Sequence, residues 1–178
     1  MGPARRSGGA GHAPREAALP VKRCGRRHLR RLAPGTAGEP FLVSPNQREA
    51  ESLVGQEFHE DQDFIQALDD IAELGARNVL ITQEAGCFAL VREEREVKRL
   101  RAVAPEVDPV STVGSGDVLV SAFLAARYAG KPIDEALRSA VAAGAASTLE
   151  VGAGRFDPRE AGRLAGGVEV TELEPVVS

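Results

Sequence analysis

The chain has 178 residues, of which 43% are hydrophobic and 27% are charged, a composition typical of one folded domain with its own core. No run of eighteen apolar residues occurs, so the sequence predicts no membrane-spanning helix. The cysteines, Cys24 and Cys87, form no CxxC pair, and the three histidines lack metal-ligand spacing. These features argue against a disulfide framework or a zinc site and predict a cytoplasmic protein.

Charge is divided unevenly along the chain. Residues 1–40 carry nine Lys or Arg against two acids, whereas the remaining residues carry thirteen against twenty-four. The basic segment is rich in Gly, Ala, Arg and Pro and cannot bury enough apolar surface to offset the entropy of ordering, so we predict that it is disordered. A basic arm could bind nucleic acid, but this one has no Phe, Tyr or Trp to stack on bases. A non-native leader is therefore the preferred interpretation.

Regular structure is predicted to begin near residue 41. Short apolar runs bounded by turn residues indicate strands, and apolar positions three and four apart indicate helices. The alternation of the two predicts an α/β layered fold with a partly parallel sheet. In chain order, the predicted elements are a strand at 41–43, helices at 46–55 and 61–75, strands at 78–82, 87–91 and 96–104, and helices at 117–128 and 133–149.

The stretch STVGSGDVLV at 111–120 places Gly114, Ser115 and Gly116 directly before Asp117, where a predicted helix begins. Backbone N–H groups at a helix N-terminus are unpaired, and small residues let a phosphate approach them closely. A carboxylate repels a resting phosphate, but it can act as the base for a hydroxyl that attacks a phosphoryl group in transit. The alternative is that Asp117 simply caps the helix. The loop is not a Walker A loop, because no Gly-Lys-Ser/Thr follows.

Four segments together resemble one known family. The run STVGSGDVLVSAFL at 111–124 resembles, at every defined position, the second signature of the ribokinase-like (PfkB) sugar kinase family. PNQRE at 45–49 resembles the family's Asn-x-x-Glu motif, and ITQEAGCFALV at 81–91 is similar to its nucleotide-binding strand-turn-strand. ASTLEVGAGRFDP at 146–158 is similar to the segment around its adenine site. The resemblance covers about 41–178 and is closest to the 1-phosphofructokinases and tagatose-6-phosphate kinases.

This resemblance implies part of a ribokinase-like three-layer α/β/α sandwich. Family members are longer, and the half that supplies their Gly-Gly sugar-binding motif and lid is not found in residues 1–40. The implied organisation is a non-native leader at 1–40 followed by the nucleotide-binding and catalytic part at 41–178. The implied activity is ATP-dependent phosphoryl transfer, with Mg²⁺, to a hydroxyl of a phosphorylated ketohexose, and we expect it to be incomplete in this fragment.

The resemblance also assigns roles to individual residues. Asp117 would be the general base, and the N–H groups of Gly114, Ser115 and Gly116 would form the anion hole. Asn46 would contact ATP, and Glu49 would hold Mg²⁺ indirectly, through water. The alternative for this pair is a capping box at the start of a surface helix. The remaining nucleotide contacts are predicted at Thr82, Gly86, Ala143 and Ser147.

Two departures from the family pattern limit what can be carried over. Glu84 stands where the family usually has Gly, and a carboxylate near ATP phosphates is unfavourable unless it points away. Arg155 and Phe156 stand where relatives coordinate a monovalent cation, so no such site is predicted.

The expected partners are ATP and a sugar phosphate, with neither membrane nor nucleic acid, and a homodimer of the full-length enzyme stays open. Two other functions also stay open. One is a ribokinase-like kinase of another sugar or a nucleoside, and the other is a non-catalytic nucleotide-binding remnant.

Overall fold

The structure is a computed structural model that describes residues 40–93 and 96–176. The predicted leader therefore lies outside the described residues, apart from its last residue. Over the described ranges no helix is both long enough and apolar enough to cross a bilayer. The elements in chain order are α1 (Gln47–Val54), α2 (Asp61–Glu73), β1 (Val79–Gln83), β2 (Gly86–Glu93), β3 (Glu96–Val103), α3 (Ser115–Tyr128), α4 (Ile133–Thr148), α5 (Pro158–Ala165) and β4 (Glu169–Glu172).

The four strands form a single sheet in the order β1-β2-β3-β4, and each strand is antiparallel to its neighbour. The chain before α1 runs parallel to β1, with bridges from Val43 to Val79 and from Asn46 to Thr82. The strand predicted at 41–43 is thus an extended segment held by isolated bridges. In the part of the chain that the structure describes, the parallel component of the predicted sheet is confined to this segment. Helix α5 and strand β4, which are short, were not predicted from the sequence.

Helices cover both faces of the sheet. Alternate residues of β1 explain this arrangement, because Val79 and Ile81 pack into a cluster with α2, whereas Leu80 packs on the opposite side with α3 and α4. All three side chains are fully buried. A strand that is apolar on both faces needs cover on both faces, so the predicted three-layer α/β/α arrangement is confirmed.

The tight connection between β1 and β2 depends on Gly86. Its φ is +149°, in the region that disfavours side chains, and a Cβ placed there would lie 2.0 Å from the carbonyl oxygen of Ala102 on β3. Only a residue without a Cβ lets β2 and β3 approach this closely. Gly86 therefore supplies the turn beside Glu84.

Candidate active site

Helix α3 begins at Ser115, two residues earlier than predicted, which makes Asp117 its third residue. Gly114 is the N-cap with φ +82°, and no side chain caps the helix. The N–H of Ser115 donates to the carbonyl of Thr112 over 3.3 Å. In the described part of the chain, the N–H groups of Gly116 and Asp117 have no acceptor. The donors that remain for an anion therefore include Gly116 and Asp117, whereas Ser115 is already engaged.

Small residues hold this N-terminus in place from two sides. A Cβ on Gly114 would lie 3.2 Å from the Cβ of Ala153 and 3.3 Å from the nitrogen of Gly154, so the loop after α4 packs directly against the cap. A Cβ on Gly144 would lie 3.3 Å from the carbonyl oxygen of Ser115. The row of small residues on α4 thus lets that helix lie against the start of α3 and fix its position.

The Asp117 carboxylate is exposed and forms no hydrogen bond or ion pair within the described ranges. The alternative of an ordinary helix cap therefore does not describe it. An uncommitted carboxylate beside unpaired N–H groups can accept a proton from a bound hydroxyl without first losing a partner.

Asn46 and Glu49 form the capping box of α1. The Asn46 Oδ1 accepts the N–H of Glu49 over 3.0 Å, and the Glu49 Oε2 accepts the N–H of Asn46 over 2.9 Å. The N–H of Thr82, at the end of β1, donates to the carbonyl of Pro45 over 3.0 Å and brings that strand end alongside. The capping role is therefore observed, and the ATP and metal roles stay predictions.

A cavity of about 870 Å³ brings the distant motifs together. Of the predicted site residues, those that line it are Asn46, Glu49, Thr82, Gly86, Gly114, Ser115, Gly116 and Asp117.

Two predicted nucleotide contacts do not reach this cavity. Ala143 and Ser147 are buried in the packing of α4, and the Ser147 hydroxyl donates to the carbonyl of Gly144 over 2.7 Å. Gly144, Ala145 and Thr148 line the cavity instead, because they lie on the helix face turned toward α3. The exposed Glu84 also belongs to the lining of this cavity.

The sequence matches one family of known proteins over most of the chain. The sequence profile described as pfkB family carbohydrate kinase matches residues 28–160. The chain belongs to this family. The matched range includes residues 28–40 of the basic segment, whose assignment as a leader stays a prediction.

Individual relatives of this pfkB-family chain agree with the profile. It is 36% identical to the 1-phosphofructokinase of Escherichia coli over 123 residues, covering 68% of this chain and 38% of that protein. Among solved structures, E. coli phosphofructokinase-2, in complex with potassium, aligns with a TM-score of 0.64 at 30% identity over 73% of this chain and 41% of that one.

Arabidopsis thaliana ribokinase, complexed with ribose and ATP, aligns with a TM-score of 0.62 at 27% identity over 70% of this chain and 40% of that one. The ribokinase-like fold and the likeness to 1-phosphofructokinases expected from the sequence are thus confirmed. The chain spans less than half the length of the curated relatives it matches.

The lining residues that were not predicted from the sequence include three on α1, namely Gln47, Arg48 and Glu51. All three lie on α1 within one turn of the Asn-x-x-Glu motif, so helical periodicity around that motif could have found them. The pKa of Glu51 is lowered, first by the hydrogen bond from the Gln47 side chain and then by that from the Phe58 N–H. Its carboxylate is therefore committed to holding the end of α1.

The cavity of this pfkB-family chain is acidic. Its charged lining consists of four carboxylates, from Glu49, Glu51, Glu84 and Asp117, and one guanidinium, from Arg48. In the described ranges no group of three or more His, Cys, Asp or Glu is placed to hold a metal. The donor set still fits Mg²⁺, which keeps most of its waters and needs only one or two carboxylates together with substrate phosphates. Glu49 has its Oε1 free for such a contact, because only its Oε2 takes part in the capping box.

Proposed function

We propose that this chain is the nucleotide-binding and catalytic part of a kinase that transfers the γ-phosphoryl group of ATP to a hydroxyl of a phosphorylated ketohexose. One observation carries the proposal. The Asp117 carboxylate, which has no hydrogen-bond partner among the described residues, follows the unpaired N–H of Gly116 at the start of α3. Both residues line a cavity that is also lined by the Asn-x-x-Glu motif. Because the chain spans less than half the length of its relatives, the transfer to the acceptor sugar is proposed for the whole kinase and not for the described residues alone.

The transfer needs a base and an anion hole, and α3 offers both. The sugar hydroxyl oxygen attacks the γ-phosphorus while its proton passes to the Asp117 carboxylate. The bond from the γ-phosphorus to its bridging oxygen breaks, and ADP leaves. The N–H groups of Gly116 and Asp117, together with the small-residue loop, would stabilise the charge on the phosphoryl oxygens. Fixed backbone donors are effective here because they need no reorganisation during the reaction.

Mg²⁺ would lie between the acidic lining and the nucleotide phosphates. Bound there, it would neutralise charge on the phosphate oxygens. Glu49 would hold a water of the ion through its free Oε1, while its Oε2 keeps the helix cap. The side-chain amide of Asn46 would donate a hydrogen bond to a phosphate oxygen of ATP.

The alternative substrate class is an unphosphorylated sugar or a nucleoside, which the likeness to a ribokinase complexed with ribose favours. Turnover with fructose 1-phosphate, tagatose 6-phosphate and ribose, measured side by side in any form of the protein with measurable kinase activity, separates the two classes. If kcat/KM for ribose is at least tenfold higher than for either sugar phosphate, the substrate is ribose and not a ketohexose phosphate.

Nucleotide binding is the first testable consequence. At a Mg-ATP concentration 100 times its Kd, the chain should gain about 2.7 kcal/mol of unfolding free energy, read as a rise in thermal midpoint. Mg²⁺ without nucleotide is the control and should give no comparable rise. No shift at millimolar Mg-ATP, with no heat of binding in calorimetry, would contradict nucleotide binding and with it the proposed function of this chain.

A further inference from the structure

The one guanidinium in the cavity lining has no assigned task, and we propose that Arg48 binds a non-transferred phosphate group of a substrate. The inference rests on the proposed function and adds a binding residue to it. Arg48 is the second residue of α1, is exposed, and lines the same cavity as Asp117 and Glu84.

Within the described residues Arg48 takes part in no ion pair. The carboxylates of its acidic neighbours on α1 each accept hydrogen bonds from other groups. The Glu49 Oε2 accepts the N–H of Asn46, and the Glu51 Oε1 accepts from the Gln47 side chain over 2.9 Å and from the Phe58 N–H over 3.1 Å. The guanidinium thus keeps its donors available to a ligand.

The charge balance of the cavity gives Arg48 its importance. With four carboxylates around it, a phosphate-bearing substrate meets only one complementary side-chain charge in the described lining. The flat guanidinium matches the oxygens of a phosphate in a two-pronged contact, which an ammonium cannot reproduce. Arg48 lies on α1, whereas the unpaired N–H groups lie at the start of α3. A substrate phosphate held at Arg48 would therefore help to orient the group to be transferred toward Asp117.

If Arg48 instead had a structural role, its replacement would lower the stability of the free chain. A cation in the first turn of a helix opposes the helix dipole, so Arg48 does not stabilise α1 through its charge. Replacing Arg48 with Gln should leave the thermal midpoint of the free chain unchanged or slightly raised. A contribution to folding would lower it.

Calorimetric titration of the whole chain tests the proposal with Mg-ADP, adenosine and fructose 1-phosphate as probes. Arg48→Gln should weaken Mg-ADP binding by about tenfold or more and leave adenosine binding within about twofold. Arg48→Lys should give an intermediate loss of Mg-ADP affinity, because lysine keeps the positive charge but cannot make the two-pronged contact of a guanidinium. Arg92→Gln is the matched control, since Arg92 is exposed on β2 and lies outside this cavity.

The outcomes separate this inference from the proposed function. If the wild-type chain binds Mg-ADP and Arg48→Gln binds it equally, with fructose 1-phosphate also unaffected, Arg48 contacts no phosphate and the inference is overturned. If only fructose 1-phosphate binding weakens, the phosphate at Arg48 is that of the acceptor sugar rather than the nucleotide. If the wild-type chain binds none of the probes, the proposed function fails, and the inference fails with it.

Discussion

Replacing Asp117 with Asn is expected to lower kcat by roughly 10²–10⁴ in any form of the protein with measurable kinase activity, such as the chain joined to the amino-terminal part of a curated relative. Asn keeps the size of the side chain but cannot accept the hydroxyl proton. Because the Asp117 carboxylate caps no helix and pairs with no cation in the described structure, its loss should leave the fold intact. Initial rates at saturating ATP and sugar would measure the effect.

The nucleotide provides an internal check on that variant. Removing a negative charge near the phosphates should leave the Kd for Mg-ADP unchanged or make binding tighter. Asp134→Asn is the matched control, because Asp134 is an exposed acid in the first turn of α4, outside the cavity. An undiminished kcat in Asp117→Asn would remove this residue from the mechanism.

Replacing Gly86 with Ala is expected to cost about 3 kcal/mol or more of unfolding free energy, because the new Cβ collides with backbone rather than with a movable side chain. The carbonyl oxygen of Ala102 would lie 2.0 Å from that Cβ, and the backbone φ of +149° adds strain of its own. Relief requires β2 and β3 to separate, which would also displace the β1–β2 turn that lines the cavity. Urea unfolding followed by circular dichroism would measure the loss.

Gly55→Ala isolates the backbone contribution to that loss. Gly55 ends α1 with φ +77°, and a Cβ on this residue would meet no atom within 4 Å, so only conformational strain of about 1–2 kcal/mol is expected. Equal losses in the two variants would show that the close approach of β3 contributes nothing at Gly86.

Some features of the site follow from short stretches of sequence. Asn46 and Glu49 have the spacing of a capping box, and Gly55 is a typical stop, so α1 was predicted at nearly its observed bounds. The strands β1, β2 and β3 were likewise visible as apolar or alternating runs. In each case the deciding interactions lie within a few residues of one another, where sequence spacing and spatial distance are nearly the same.

The start of α3 shows where such local reasoning ends. The sequence placed the helix start at Asp117, but Gly114 caps it in a left-handed conformation, and Ala153 and Gly154 of a distant loop pack directly against that cap. That two-residue difference moves the unpaired N–H groups to Gly116 and Asp117. The same long-range packing buries Ala143 and Ser147 and turns Gly144 and Thr148 to the cavity.

By itself the sequence determined the family, the alternation of strands and helices, and the carboxylate that follows the small-residue loop. The tertiary structure alone decided that α1, the β1–β2 turn and α3 line one cavity, that Glu84 belongs to its lining, and that Arg48 is the one arginine there among the described residues. The reason is physical. Caps and periodicity are set by neighbours along the chain, whereas the wall of a cavity is set by strand pairing and helix packing between residues far apart in sequence.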